Sequence, residues 1–118
     1  MLQVGDQKRL SFRIKVEWPV TIETARGSVE GKTKDISAGG AHIRCTEYLQ
    51  LHQPVSMTIE APDIEPMKVA AIVIWSNNKN DSNRPRVIGV KFTELSLADL
   101  KYLEKVALEE FKAKLPKS

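Results

Sequence analysis

Two arginines near the amino terminus, Arg9 and Arg13, lie four residues apart just before the first predicted strand. Each guanidinium can donate two parallel hydrogen bonds to a phosphate, or to O6 and N7 of a guanine, and its plane can stack on a base. Two such groups close together favour a site that grips a nucleotide. Taken alone, the pair is more typical of solvated charges on a terminal arm, because surface arginines are common.

A second segment with distinctive chemistry covers residues 35–40, which read Asp-Ile-Ser-Ala-Gly-Gly between two alternating stretches. The Asp35 carboxylate could accept hydrogen bonds from N1 and N2 of a guanine, and successive amides with the Ser37 hydroxyl can hold an anion. Gly39 and Gly40 permit positive φ and the close approach of a ligand. The alternative is a plain hairpin loop that needs glycine for its turn and aspartate for an Asx-turn.

Alternation of apolar and polar residues predicts the strands that would position these groups. The predicted strands cover residues 16–23, 29–36, 41–46, 55–61, 69–75 and 87–92. Pro19 has no amide donor, which pushes the first strand toward a sheet edge or a bulge. The stretch 69–75 is apolar on both parities and predicts a strand covered on both faces. Residues 76–85 are polar and rich in turn formers, so they predict a hairpin loop.

From Ser96 the period becomes helical, and Ser96 with Asp99 forms a predicted capping box. The apolar stripe of this helix consists of Leu100, Leu103, Ala107 and Phe111. Six strands followed by one helix, without an internal repeat or a linker, predict a mainly β domain. We expect a small antiparallel barrel or sandwich packed on the helix.

Composition narrows the class of protein. The chain has 118 residues, a length typical of one domain, and its only cysteine, Cys45, cannot form an internal disulfide, which favours a reducing cytoplasm. No apolar run approaches the length needed to cross a bilayer. The net charge is +3, and residues 1–44 contain eight Lys or Arg against five Asp or Glu. A local anion site therefore fits better than a broad surface for DNA or RNA.

Taken together, the two motifs resemble the signature of the PilZ domain family, R-x-x-x-R followed some twenty to thirty residues later by D/N-x-S-x-x-G. Here Arg9-x-x-x-Arg13 and Asp35-x-Ser37-x-x-Gly40 fill every defined position. The strands around 73–75 and 89–92 and the closing helix also resemble the later elements of the family. The resemblance implies a six-stranded antiparallel β-barrel, split-barrel-like, with a C-terminal helix. It assigns 1–14 to an N-terminal ligand-clamp segment, 15–93 to the barrel and 96–114 to the helix.

The same resemblance implies a receptor for the bacterial second messenger cyclic di-GMP, without a further cofactor. The implied ligand-binding residues are Arg9, Arg13, Asp35, Ser37 and Gly40, with Lys8 and Gly39 as additional contacts. The arginines would grip guanine edges and phosphates, the aspartate would read a guanine, the serine would meet a phosphate or a guanine, and Gly40 would leave room. We expect the N-terminal segment to reorder on binding and so to signal to an unidentified effector protein.

Catalysis and metal binding have little support in the sequence. Ser37 followed by His42 on a strand is not a recognisable nucleophile and base, and no hydrolase, phosphate-loop or metalloprotease motif occurs, so we predict no enzyme. His42, Cys45 and His52 are conceivable metal ligands. Strand parity, however, places Cys45 inward and His42 outward, which argues against a shared ion.

Two binding alternatives remain. A small barrel with a basic arm could bind single-stranded nucleic acid, but the chain has few aromatic residues, and packing is the expected role of Trp18 and Trp75. The stronger alternative is a PilZ-fold module for protein–protein interaction that binds no nucleotide. The intact motifs argue against it, because relatives without ligand binding typically depart from the pattern at these positions.

Overall fold

A computed structural model describes residues 13–77 and 86–115 of the chain. It contains β1 (Pro19–Thr24), β2 (Gly27–Ile36), β3 (Gly40–Cys45), β4 (Pro54–Ile59), β5 (Met67–Ser76), β6 (Arg86–Glu94) and α1 (Leu97–Ala113). The strands close into an antiparallel barrel in the order β1-β2-β3-β6-β5-β4, with β4 pairing back to β1. The predicted six strands and C-terminal helix are therefore confirmed. Of the predicted loop 76–85, residues 78–85 lie outside the described part.

The barrel interior is filled by one face of every strand, as the alternating patterns require. Among its fully buried side chains are Ile22, Ile36, Ile43, Met57, Ile59, Met67, Val73, Ile88 and Phe92. Removing each of these from water contributes about 1.5 to 3 kcal/mol before conformational entropy is subtracted. This core is what holds the outer face of the barrel, and hence the site on it, in fixed register.

Helix α1 begins where the sequence predicts it. The Ser96 hydroxyl oxygen accepts a hydrogen bond of 3.1 Å from the Asp99 amide, and Leu100, Leu103 and Ala107 are buried. Phe111, predicted to continue the buried stripe, is 43% exposed. That prediction was wrong. The buried stripe ends at Ala107, and every described residue of the helix after it is exposed. Within the described part, no helix is long and apolar enough to span a bilayer.

Two further predictions from the strand pattern need correction. Strand β5 is not covered on both faces, since Ile74 is 52% and Trp75 47% exposed. The register of β5 against β6 shifts between Val73 and Trp75, so that residues 74 and 75 both face outward. Pro19 does not mark an edge, because the closed barrel has none. It is the first residue of β1, a position that tolerates the missing amide, and its carbonyl accepts from the Glu60 amide at 2.9 Å.

Candidate functional site

A β-bulge in β2 places Asp35 on the outer surface of the barrel. Val29 and Thr33 point inward on this strand, so strict alternation would turn Asp35 inward as well. The pairing with β3 instead runs from Thr33 opposite Ile43 to Asp35 opposite His42, which leaves Lys34 as the extra residue. The bulge reverses the parity. Ile36 then enters the core, and the carboxylate of Asp35 faces outward.

The chain before β1 is held against the same part of β2. Ile14 and Ile36 form an antiparallel bridge through two backbone hydrogen bonds of 2.9 Å each. The buried Thr33 hydroxyl accepts from the Trp18 amide at 2.9 Å and donates to the carbonyl of Val16. These contacts fix the backbone that carries Arg13, although Arg13 and Asp35 are 22 positions apart.

The Asp35 carboxylate joins the two motif segments. Its Oδ1 accepts from Nη1 of Arg13 at 2.7 Å and lies 3.0 Å from Nδ1 of His42. Burial raises the pKa of Asp35, but the hydrogen bonds and charges of His42 and Arg13 outweigh it, so that this pKa lies below its ordinary value. The carboxylate is therefore ionised at neutral pH. It can accept further hydrogen bonds, because no donor of the described residues reaches Oδ2.

The turn between β2 and β3 is held by Ser37. Its amide donates to the carbonyl of Gly40 at 2.8 Å, and its hydroxyl oxygen accepts from the Gly39 amide at 3.2 Å. The Ser37 side chain is buried and its hydroxyl also points to the Gly40 carbonyl at 3.4 Å. The hydroxyl is thus engaged inside the turn, and Asp35 makes no Asx-turn contact here, since its partners are Arg13 and His42.

The two glycines of this turn have different roles. Neither adopts the positive φ that glycine permits. A Cβ on Gly40 would lie 2.1 Å from the carbonyl oxygen of Val90, which means that glycine is needed for close packing of β3 on β6. A Cβ on Gly39 would meet only the Ser37 hydroxyl, at 3.9 Å. Gly40 therefore serves the barrel, while Gly39 leaves open space at the surface.

Two residues outside the motifs extend the site across the barrel. His42 on β3 lies opposite Asp35 on β2 and opposite Gly89 on β6, and Gly89 in turn pairs with Trp75 on β5. The rings of His42 and Trp75 meet edge to face, with centroids 5.8 Å apart at 84°. A Cβ on Gly89 would lie 3.3 Å from Cβ of Trp75 and 3.4 Å from Cδ2 of His42, so this glycine lets both side chains lie over it.

Basic side chains flank this row of side chains. Lys32 and Arg44 are exposed register partners on β2 and β3, a repulsive arrangement for like charges. Lys91 lies opposite Gly40. Within residues 13–77 and 86–115, only one ion pair involves a Lys or Arg, the pair of Arg13 with Asp35. The outer face of β2, β3 and β6 therefore favours an anionic ligand.

The predicted site residues fall into two groups. The structure brings together Arg13, Asp35, Ser37, Gly39 and Gly40. Arg9 and Lys8 lie outside the described residues. Sequence reasoning missed His42 and Trp75 as parts of the same surface. The alternation of β3 does predict that His42 faces outward. Its contact with Trp75 across β6, however, depends on the order of the strands in the barrel, which no local pattern reveals.

The three side chains that are conceivable metal ligands do not meet. Cys45 is buried, its Sγ donates to the carbonyl of Glu47 at 3.2 Å, and burial raises the pKa of this thiol. His42 faces the other side of β3, as predicted from parity. Over the described ranges, no three His, Cys, Asp or Glu side chains are grouped to hold a metal ion.

Comparison with known proteins identifies the family of this fold. The family model described as "PilZ domain" matches residues 7–109. No curated protein matches the sequence. Among solved structures, MotI/DgrA, an inhibitor of motility from Bacillus subtilis, is 21% identical with a TM-score of 0.75 over 93% of this chain.

Two other structures were solved with cyclic di-GMP. The PilZ domain of YcgR from Escherichia coli is 17% identical with a TM-score of 0.70, covering 92% of this chain and 95% of that domain. MrkH of K. pneumonia is 19% identical with a TM-score of 0.72 over 93% of this chain. The chain spans about half of the longer relatives, 54% of MotI/DgrA and 56% of MrkH. At such identities the likeness concerns the fold.

Proposed function

The chain belongs to the PilZ domain family, and we propose on this premise that it is a receptor that binds cyclic di-GMP on the outer face of β2, β3 and β6. Two of its structural neighbours are described as complexes with that nucleotide. The proposed ligand-binding residues are Arg9, Arg13, Asp35, Ser37 and Gly40, with Lys8 and Gly39 beside them. Ser37 and Gly40 would contribute through the shape of the turn, since the Ser37 hydroxyl is engaged within it and Gly40 packs against Val90. The domain would act by binding, without catalysis.

The observation that carries the proposal is the hydrogen bond of 2.7 Å between Arg13 and Asp35. It brings the arginine motif and the aspartate motif to one point on the surface. A guanine offers N1 and N2 donors to the open Oδ2 of Asp35, and its O6 and N7 accept from a guanidinium. Arg13, whose side chain is 45% exposed, can turn toward the ligand without unfolding the barrel.

Trp75 would supply a stacking surface for a guanine base. It is 47% exposed and lies in the same outward row as Asp35 and His42. An exposed tryptophan beside basic side chains suits a ligand that combines flat purines with phosphates. This extends the site proposed from the motifs by one aromatic residue.

Signalling would follow from a change in the N-terminal segment. In the structure Arg13 is already bound to Asp35 and Ile14 to Ile36. The rearrangement we propose therefore starts at the Arg13 side chain, which exchanges the carboxylate for ligand, and passes to the residues before it. The altered segment would present a new surface to an effector protein in the bacterial cytoplasm.

Titration of the purified chain with cyclic di-GMP in a calorimeter at near-physiological salt tests the proposal. We expect saturable heat and a change in tryptophan fluorescence at micromolar ligand. GTP and linear pGpG serve as controls, since they carry guanine and phosphate without the closed ring. Absence of heat and of any spectral change at tens of micromolar ligand would instead favour a PilZ-fold module for protein–protein interaction.

A further inference from the structure

We propose that His42 orients the Asp35 carboxylate through Nδ1 and contacts the ligand through Nε2, which makes nucleotide binding depend on proton uptake. His42 is not part of either motif. This inference rests on the proposed binding of cyclic di-GMP and adds regulation by pH to the same site.

The hydrogen bond with Asp35 determines which nitrogen of His42 carries the proton. An ionised carboxylate can only accept, so Nδ1, at 3.0 Å from Oδ1, must be the donor. The neutral ring then has its hydrogen on Nδ1 and a bare lone pair on Nε2. Arg13 and His42 both donate to Oδ1. When Arg13 turns to the ligand, as proposed above, His42 still holds the carboxylate by Oδ1, and Oδ2 stays open to the ligand.

The Nε2 atom faces the proposed binding surface. No described residue hydrogen-bonds to Nε2. Every fully buried side-chain nitrogen or oxygen of the described residues has a partner, so an atom without one, such as Nε2, must be accessible to solvent. A Cβ on Gly89 would lie 3.5 Å from Nε2, so this atom lies above Gly89, in space that a larger residue would fill. Ring protonation changes Nε2 from an acceptor to a cationic donor at the point where a ligand would contact it.

Few charged residues of the described part of the chain neighbour His42. Asp35 faces it from β2 and Arg13 from the preceding segment, while Lys34, at the bulge, is exposed beside Asp35. Its register partner on β6 is the uncharged Gly89, and its aromatic partner from β5 is Trp75. The other outward cations nearby are Arg44, two residues along β3, and Lys91, two residues along β6. Among residues 13–77 and 86–115, Asp35 is thus the one acidic group that contacts the ring directly.

A ligand with two phosphates would favour the protonated ring. Phosphate oxygens and the O6/N7 edge of guanine are acceptors, so they repel the bare lone pair of Nε2 and accept from its protonated form. Neither the phosphodiesters nor the guanines of the ligand titrate between pH 6 and pH 8. Binding should therefore take up a proton at the protein, and the affinity should rise as pH falls through this range.

Calorimetric titration of the full chain with cyclic di-GMP at pH 6, 7 and 8 tests this inference. Each pH is repeated in two buffers of different ionisation enthalpy, which measures the protons taken up per ligand. We expect net uptake near pH 7 and an affinity about tenfold higher at pH 6 than at pH 8, the scale of one charge-assisted hydrogen bond. His42→Gln, which cannot titrate, should bind with a flat pH profile.

His52→Gln is the matched control, because His52 is the only other histidine and lies on the turn before β4. It should keep the pH profile of the wild type. A wild type that binds with pH-independent affinity, or a His42→Gln variant that retains the dependence, would overturn this inference and leave the proposed function intact. A wild type that binds at no pH would overturn both.

Discussion

The Asp35 carboxylate of β2 lies 2.7 Å from the Arg13 guanidinium, which belongs to the segment that precedes β1. The contact joins two motifs that are 22 residues apart in the chain. It also occupies only one carboxylate oxygen, so a ligand can bind the other without displacing the aspartate from its place on the barrel.

Arg13→Ala and Asp35→Ala should each weaken cyclic di-GMP binding by about 1.5 to 3 kcal/mol, because each removes charge-assisted hydrogen bonds. Calorimetric titration measures the loss. Arg26→Ala is the matched control, since Arg26 is exposed on the turn at the other end of β2. Equal affinity of wild type and Arg13→Ala would contradict the proposed role of the pair.

Trp75→Ala should weaken the same binding by about 1 to 3 kcal/mol, the range for one base stacked on an aromatic ring. Trp75 is exposed and the only other tryptophan, Trp18, is buried. Ligand-induced change in fluorescence should therefore disappear in this variant. Ile74→Ala is the control for loss of exposed apolar surface, and it should bind like the wild type.

Gly40→Ala should destabilise the fold by about 1 to 3 kcal/mol or more, because the added methyl group meets the backbone of β6. The methyl carbon would lie 2.1 Å from the Val90 carbonyl oxygen, and rotating a side chain cannot relieve a clash with backbone. Urea unfolding followed by circular dichroism measures the change. Gly39→Ala, with no contact under 3.9 Å, should unfold close to the wild-type midpoint.

Thr33→Val should lower the free energy of unfolding by about 1 to 3 kcal/mol while keeping the shape of the side chain. The hydroxyl accepts from the Trp18 amide and donates to the Val16 carbonyl, so both backbone groups lose a partner. Thr21→Val, on the outer face of β1, is the comparison. A Thr33→Val protein as stable as Thr21→Val would show that the hydroxyl does not hold the N-terminal segment.

Acid should remove the stabilising contribution of Asp35. Burial raises the pKa of this carboxyl, but His42 and Arg13 together lower it by more than burial raises it. The folded-state pKa is therefore below the ordinary 3.8. The contribution is therefore present above about pH 4 and lost as pH falls through the folded value. The stability advantage of wild type over Asp35→Asn, less than about 1 kcal/mol for so exposed a pair, should shrink between pH 5 and pH 3. An advantage that grows in that range would contradict this assignment.

The strands and the helix were predictable because burial of one face makes apolar residues recur at the spacing of a strand or a helix. Two features depend on more than local period. The bulge at Lys34 reverses the alternation that Val29 and Thr33 predict. Its one mark in the sequence is the apolar Ile36 on the opposite alternation, which does not show where the extra residue lies. Phe111 is exposed together with the rest of the helix after Ala107, and the apolar stripe does not show how much of the helix is covered.

The motif residues of the site were predictable from type and spacing, but their partners were not. His42 and Trp75 are brought together because β3 and β5 both pair with β6, a consequence of closure rather than of any short segment. Conversely, the sequence suggests that Gly40 makes room for a ligand, whereas the structure shows its close approach to Val90. A glycine in a motif indicates that a side chain would not fit there, but not whether a ligand or the barrel itself needs the space.

The hairpin of β1 and β2 has a consequence for how this domain tolerates changes in length. Its turn, Ala25 and Arg26, lies at the end of β2 away from Asp35, about 25 Å along the strand at the usual rise per residue. Residues inserted there in matched numbers would lengthen both arms of the hairpin and leave Arg13 facing Asp35. The sequence distance between the two motifs is therefore free to vary, and a reporter peptide placed in this turn would leave the site undisturbed.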